Sequence, residues 1–256
     1  MPKQGTDKPK VMSFLDHLEE LRWRILKSII AVVLASGVGV AFSDRLIEFL
    51  VLPLRRLDPP PKLIFLKPVG MFIVRMEAAL LAGVVLASPV VLYQAWRFIA
   101  PGLLEHERRA FPLAIAAATG CFLAGVATAY WVVLPVALRF LVGLGTEYVQ
   151  AQFDIGQYIG FLLRLCLGFG LVFELPVFSY FLTKLGVLTP GFLQRNRRYA
   201  VVGVATLAAL LTPPDVASQL LMAGPLLVLY EALSLIHISE PTRLGMTSYA
   251  VFCLQK

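Results

Sequence analysis

An all-α membrane protein, with six transmembrane helices in a cupped bundle, is the fold this sequence predicts. Three observations carry it. The 256 residues are 58% hydrophobic and only 15% charged, whereas an average soluble domain is ~25% charged and ~45–50% apolar. Mean hydropathy is +0.78, an apolar excess that a 28.2 kDa globule cannot hide. The apolar residues also gather in uncharged runs that approach the ~20 residues a spanning helix needs. These features exclude a soluble enzyme and a disordered chain. They also exclude a nucleic-acid binder despite the formal net charge of +7, because the basic residues flank apolar runs instead of forming a patch.

Residues 1–27 read as an inner-surface amphipathic helix that runs into the first span. Ser13 to Asp16 resembles a capping-box start. Phe14, Leu18, Leu21 and Ile25 then recur on one helical face, with Asp16, Glu19, Glu20 and Arg22 on the other. A plain membrane-surface anchor carries Lys and Arg on its polar face. Here that face is acidic, which leaves a binding role for Glu19 or Glu20 open beside the anchor role. No cleavable leader is evident, because a charged stretch precedes the first apolar run.

The spans follow within residues 28–234. Ser28–Ser43 is the first, Ala78–Trp96 the second, Ala110–Leu138 the third and Leu165–Thr183 the fourth. Tyr199–Leu211 and Val216–Tyr230 are the fifth and sixth, separated by Thr212-Pro213-Pro214-Asp215, which cannot continue a helix. Fifteen residues at ~1.5 Å each reach only ~22 Å, short of a ~30 Å hydrocarbon core. The last two spans are therefore short, and a re-entrant hairpin is the other reading of them. Inner segments carry about twice the Lys and Arg of the outer loops, which orients the chain N-in and C-in. In the first outer loop Leu46–Leu54 reads as an interfacial helix and Pro59-Pro60-Pro61 as a stiff spacer. In the second, Tyr148, Phe153 and Tyr158 suit the headgroup zone. Pro89, Pro135 and Pro176 each interrupt a span and bend it, hence the cupped shape.

No catalytic signature appears: no nucleotide-binding Gly-rich loop, no His-Glu-x-x-His, no Gly-x-Ser-x-Gly. No enzyme activity, cofactor or metal is expected. His17, His106 and His237 read as solvated or interfacial, and Cys121 and Cys166 as small hydrophobes. Two places remain for chemistry. The stretch Ala100 to Arg109 puts Glu105 and Glu107 at the same surface as Glu20. Such carboxylates either pair locally with Arg108 and Arg109 or offer a seat to an incoming arginine fork. Glu174 sits ten residues from both Arg164 and Lys184, ~15 Å from either flank. An acid there costs ~3 kcal/mol on insertion scales, so it must face the bundle interior, a water-filled hollow or a partner, or be protonated.

Four motifs, in order, carry a family resemblance: Ser13-Phe-Leu-Asp-His-Leu-Glu-Glu-Leu-Arg22, Tyr93 to Arg109, Phe173-Glu-Leu-Pro-Val177 and Leu211 to Gln219. Over about residues 11 to 234 the chain resembles TatC, the polytopic subunit of the twin-arginine protein translocase. The resemblance implies a non-enzymatic receptor in the bacterial cytoplasmic (inner) membrane. It would bind Arg-Arg signal peptides of folded proteins and dock single-span TatA- and TatB-type subunits. It would work as a homo-oligomer within that complex, with export driven by the proton-motive force. It places signal-peptide binding on Glu20 and Glu107, with Arg22, Phe98 and Arg109 nearby. It makes Glu174 an intramembrane polar site and Thr212 and Gln219 the partner-docking region. Pro53 and Asp215 match loop residues typical of the family. From Leu235 to Lys256 the chain does not resemble a TatC tail and reads as translated vector or adapter sequence. A proton-coupled carrier built around Glu174 is the main competing reading, and an intramembrane hydrolase a weaker one.

Overall fold

The computed structural model describes residues 14–58, 60–99, 111–145, 152–184, 197–211, 219–220, 222–228 and 230–231. The elements are α1 (Phe14–Ala41), α2 (Ser43–Arg55), β1 (Lys62–Ile64), α3 (Gly70–Ile99) and α4 (Phe111–Thr128). A π-helical turn (Ala129–Val133) leads to α5 (Leu134–Gly143), β2 (Gln152–Asp154), α6 (Ile155–Phe173), α7 (Leu175–Lys184) and α8 (Arg197–Leu211).

Four helical segments are long and apolar enough to cross a membrane: Asp16–Ala41, Gly70–Phe98, Pro112–Gly143 and Ile155–Ser179. They correspond to the first four predicted spans. The fifth prediction falls on α8, whose apolar part is Val201–Leu210. The sixth is helical at 219–220, 222–228 and 230, and its preceding turn lies outside the described residues.

The helices run further than the apolar stretches that reveal them. The second was bounded at Ala78 and the fourth at Leu165, because Glu77 and Arg164 are charged. Both charges lie inside helices, seven residues beyond the start of α3 and nine beyond the start of α6. Charge marks where lipid burial becomes costly, not where i→i−4 hydrogen bonding stops. One consequence moves Glu174. It stands five residues before the end of the Ile155–Ser179 span, off its centre.

The expectation of a purely helical chain needs correcting in one place. β1 and β2 form a two-stranded parallel ribbon, Lys62 opposite Gln152 and Ile64 opposite Asp154. It ties the two connecting loops together at one end of the bundle, called the ribbon end below. Asp154 completes the tie. Its carboxylate caps α6 by accepting from Gln157 N–H at 2.9 Å, and it accepts from Leu66 N–H beyond β1 at 3.2 Å. The Gln157 bond does most to hold that carboxyl below the usual carboxylate range, with the Leu66 bond adding to it.

The main core also sits toward this end. Val51 and Leu54 of α2, Val74 of α3, Leu134 and Leu138 of α5, and Ile159, Leu162, Leu165 and Phe169 of α6 are almost wholly buried together. α2, predicted as an interfacial helix, is thus a packed element. Pro53 inside it supplies no N–H, which leaves the carbonyl of Phe49 without its helical donor. The Tyr130 hydroxyl donates to that carbonyl at 2.5 Å, and the Tyr158 hydroxyl donates to the next one, Leu50, at 2.7 Å. Tyr158, expected among lipid headgroups, is 4% exposed instead. The π turn belongs to the same arrangement. Pro135 also lacks an N–H, and just before it Leu134 N–H reaches back to Ala129 O, widening the helix at Tyr130.

α1 packs chiefly along α3. At Gly83 an added Cβ would lie 2.7 Å from the backbone nitrogen of Ser36, so the two backbones meet with no room for a side chain. The partly or fully buried residues of α1 are mostly small or polar: His17, Glu20, Arg24, Ser28, Ala31, Ala35, Ser36 and Gly39, with Leu21 and Val32 among them. Leu18, Ile25, Ile29, Val33 and Leu34 face outward and are 46–67% exposed. Of the apolar stripe read from the sequence, Leu18 and Ile25 thus lie on the outer face of α1, while Leu21 is half-buried. In lipid, apolar side chains gain nothing by turning inward, and small and polar ones bring helices together.

Candidate functional site

At the end opposite the ribbon, the start of α1 meets the end of α3. The rings of His17 and Phe98 stack at 4.2 Å with planes 14° apart. Glu20 lies one turn along α1 from His17. Its Oε1 is bound by the Arg24 guanidinium, and its Oε2 stands 4.0 Å from His17 Nδ1. The side chain of Glu20 is 23% exposed, and Oε2 is buried with no hydrogen-bond partner among the described residues. One carboxylate oxygen is thus satisfied and the other is not. A buried acceptor without a donor costs about 1–3 kcal/mol, more if charged. An arriving guanidinium or ammonium would recover that.

Other side chains order the same end of α3. Arg97 donates to the Tyr93 hydroxyl at 3.0 Å, and its guanidinium stands 5.8 Å from the Tyr93 ring centre. Trp96, one turn before Ile99, is buried with Ala114 and Ala118 of α4, and Val177 of α7 packs against them. That small apolar cluster fixes the end of α3 against α4 and α7, and so fixes Phe98.

The predicted residues fall into three groups. Glu20 and Phe98 are brought together through His17. Arg22 is exposed on another face of α1 and does not join them. Glu107, Arg109, Thr212 and Asp215 lie outside the described residues, as do His106, His237 and the Leu235–Lys256 tail. Two residues that sequence reasoning set aside belong here. His17, read as solvated or interfacial, carries the contact to Phe98. Arg24, at i+4 from Glu20, is the local partner of the acid; that spacing was the available signal.

Glu174 occupies a break between α6 and α7. Pro176 cannot donate to the preceding turn, and the chain tightens there, with Glu174 N–H bonding Leu171 O at 3.2 Å. The side chain is half-buried, and Oε1 is buried without a hydrogen-bond partner among the described residues. The Phe-Glu-Leu-Pro motif therefore builds a helix break with an open acid in it. Gln219 is also placed: its Nε2 donates to Ala205 O of α8 at 3.1 Å, linking the last two helical segments. Met222 and Leu226, one and two turns further on, are buried against the main core. Pro53 acts through the tyrosine contacts described above. Among the described residues no cluster of His, Cys, Asp or Glu has the geometry of a metal site.

Comparison with known proteins adds to this picture. Residues 16–225 match the family described as Sec-independent protein translocase protein (TatC). The chain is 43% identical over 226 residues to a Sec-independent protein translocase protein TatC of Carboxydothermus hydrogenoformans, covering 88% of this chain and 91% of that one. It is 41% identical over 222 residues to the TatC protein of Aquifex aeolicus, covering 86% and 92%. Among solved structures it resembles the crystal structure of a twin-arginine translocase receptor, TatC, in the detergent DDM. There the TM-score is 0.80 at 40% identity, over 86% of this chain and 99% of that one.

Proposed function

The chain belongs to the TatC family of Sec-independent protein translocases, and from that premise we propose that it is the receptor for Arg-Arg signal peptides. Glu20 is one seat for the arginine pair. Glu107, on the segment between α3 and α4, is the second, with Arg109, Arg22 and Phe98 shaping the surface around them. The end opposite the ribbon then faces the cytoplasm, the chain is N-in and C-in with six spans, and the membrane is the bacterial inner membrane. Thr212 and Gln219 mark where TatA- and TatB-type single-span subunits dock. Glu174 stands in the groove of the bundle, and the proton-motive force drives export.

The observation that supports this reading most directly is the half-satisfied carboxylate of Glu20 beside the His17–Phe98 stack. Arginine suits it because its planar fork matches a carboxylate with two N–H groups, which lysine does not. Arg24 already holds Oε1, so the guest uses Oε2 or displaces Arg24. A charge-assisted hydrogen bond contributes about 1.5–3 kcal/mol.

The test is binding of a fluorescent Arg-Arg signal peptide to the purified protein in detergent, with a Lys-Lys peptide as control. Glu20→Gln is expected to weaken the Arg-Arg peptide about tenfold to a hundredfold. Changing Glu107 as well should abolish specific binding. Undiminished binding by the Glu20→Gln, Glu107→Gln double variant would overturn the assignment.

A further inference from the structure

We propose that the cavity between α3 and α6 at the ribbon end binds the head group of a phospholipid carrying both a phosphate and a primary ammonium, with the acyl chains lying along α3. The cavity measures about 280 Å³ and is lined by charges of both signs, Lys67 and Arg164 with Glu77 and Asp154. Among the described residues Arg164 and Glu77 share this space without coming within 4.0 Å of each other. An ion pair that is close but open is a costly arrangement inside a membrane span. It becomes a favourable one when a group bearing both charges bridges it.

Each seat follows from what its residues already do. Arg164 Nε donates to Gly160 O at 3.1 Å, four residues back. Its guanidinium therefore bends toward the start of α6 and the ribbon end, as a snorkelling side chain does. Lys67, in the turn between β1 and α3, is exposed at the mouth. Together these are the phosphate seat. Asp154 is already engaged by two backbone N–H groups, so it is not the ammonium seat. Glu77 is: its Oε2 is buried and has no hydrogen-bond partner among the described residues. Gly160 keeps it reachable, since a Cβ there would stand 3.7 Å from both carboxylate oxygens.

A lipid is favoured over a soluble phosphate ester by what lies outside the cavity. Phe72, Ile73, Met76 and Leu80 form one face of α3, with Val69 just before it, and all are 37–65% exposed. They follow the helical repeat and start at the mouth, where Ile73 belongs to both the lining and the exposed face. A charged hollow that continues into an apolar stripe matches a head group joined to acyl chains.

The experiment is native mass spectrometry of the purified full chain, delipidated and then titrated with phosphatidylethanolamine, phosphatidylglycerol or phosphatidylcholine. Phosphatidylethanolamine is expected to bind about tenfold more tightly than the other two, the size of one charge-assisted hydrogen bond. Lys67→Gln, outside every helix, should weaken all three lipids with helicity unchanged by circular dichroism. Glu77→Gln should remove the preference for phosphatidylethanolamine over phosphatidylglycerol and leave phosphatidylglycerol binding intact. Equal affinity for the three lipids, or a preference that survives both substitutions, would overturn the proposal. Displacement of the lipid by soluble O-phosphoethanolamine at the lipid's own concentration would do so as well, by showing that the chains contribute nothing.

Discussion

Tyr130→Phe isolates the consequence of a proline placed inside α2. Pro53 removes the N–H that would bond Phe49 O, and the Tyr130 hydroxyl replaces it at 2.5 Å. Deleting that hydroxyl leaves a carbonyl with neither its helical nor its tertiary donor. The expected cost is that of a buried unsatisfied acceptor, about 1–3 kcal/mol. Tyr158→Phe removes a similar bond to Leu50 O. There the helical donor at Leu54 remains in position, so the cost is an ordinary net hydrogen bond, about 0.5–1.5 kcal/mol. Pro53→Ala distinguishes the two. It restores an N–H for Phe49 O, so Tyr130→Phe should be milder in that background, while Tyr158→Phe should cost the same in both. The assay is reversible unfolding in mixed micelles, read as a double-mutant cycle. An equal cost for Tyr130→Phe with and without Pro53 would refute the argument that the hydroxyl answers the proline.

Four further outcomes are expected. Gly83→Ala drives a methyl against the Ser36 backbone at 2.7 Å and should loosen α1 from α3, seen as faster hydrogen exchange in α1, at about 1–3 kcal/mol. Gly37→Ala, with nothing within 4 Å of its added Cβ, should instead stabilise α1 by up to about 1 kcal/mol. Phe98→Ala removes the surface on which His17 stacks and should weaken Arg-Arg peptide binding by up to about tenfold, a loss that Phe98→Tyr restores. Asp154 has a depressed carboxyl pKa, so its contribution to stability is present above the unfolded value, about 3.9, and is lost as pH falls through the folded value. Asp154→Asn should therefore be less stable than the parent at neutral pH and converge with it below about pH 4, by thermal melting in detergent.

Much of this architecture is legible in the chain, and each failure has a physical cause. Apolar runs locate lipid-buried stretches, and four such runs became four long helices. The same runs say nothing about where a helix ends, so Glu77 and Arg164 were placed outside spans that in fact contain them. On α1 the stripe of Leu18 and Ile25 is legible as one apolar face, but the face that packs on α3 is the one with Glu20, Arg24 and Ser28. Periodicity finds both faces equally well; only the solvent decides which one turns inward. The three-residue strands of the ribbon carry too short a pattern for any period to register. Pro53 was visible, but its answering donors, Tyr130 and Tyr158, lie 81 and 108 residues from the carbonyls they bind. No local spacing could connect them.

Glu20, Glu77 and Glu174 stand at different levels of the bundle, and each holds a carboxylate oxygen that is buried with no donor among the described residues. One such oxygen could be incidental. Three in a chain with 16 acidic residues share a logic, because a membrane offers no water to correct the omission. Each acid is also set beside something that keeps it open. Arg24 occupies only one oxygen of Glu20, Gly160 leaves space in front of Glu77, and Pro176 breaks the helix at Glu174. A scaffold optimised for its own stability would close these gaps with a hydroxyl or an amide. Leaving them open is consistent with the proposed seats for cationic groups that come from elsewhere. The three acids should therefore differ in partner and not in principle. Replacing Glu77 or Glu174 by glutamine should stabilise the isolated chain, by removing a buried charge with no ion-pair partner within 4.0 Å among the described residues, while weakening what binds there; at Glu20 the same change also breaks the pair with Arg24. Parallel melting and lipid-binding measurements on Glu77→Gln would show both signs at once; loss of stability together with binding would mean that the acid is structural.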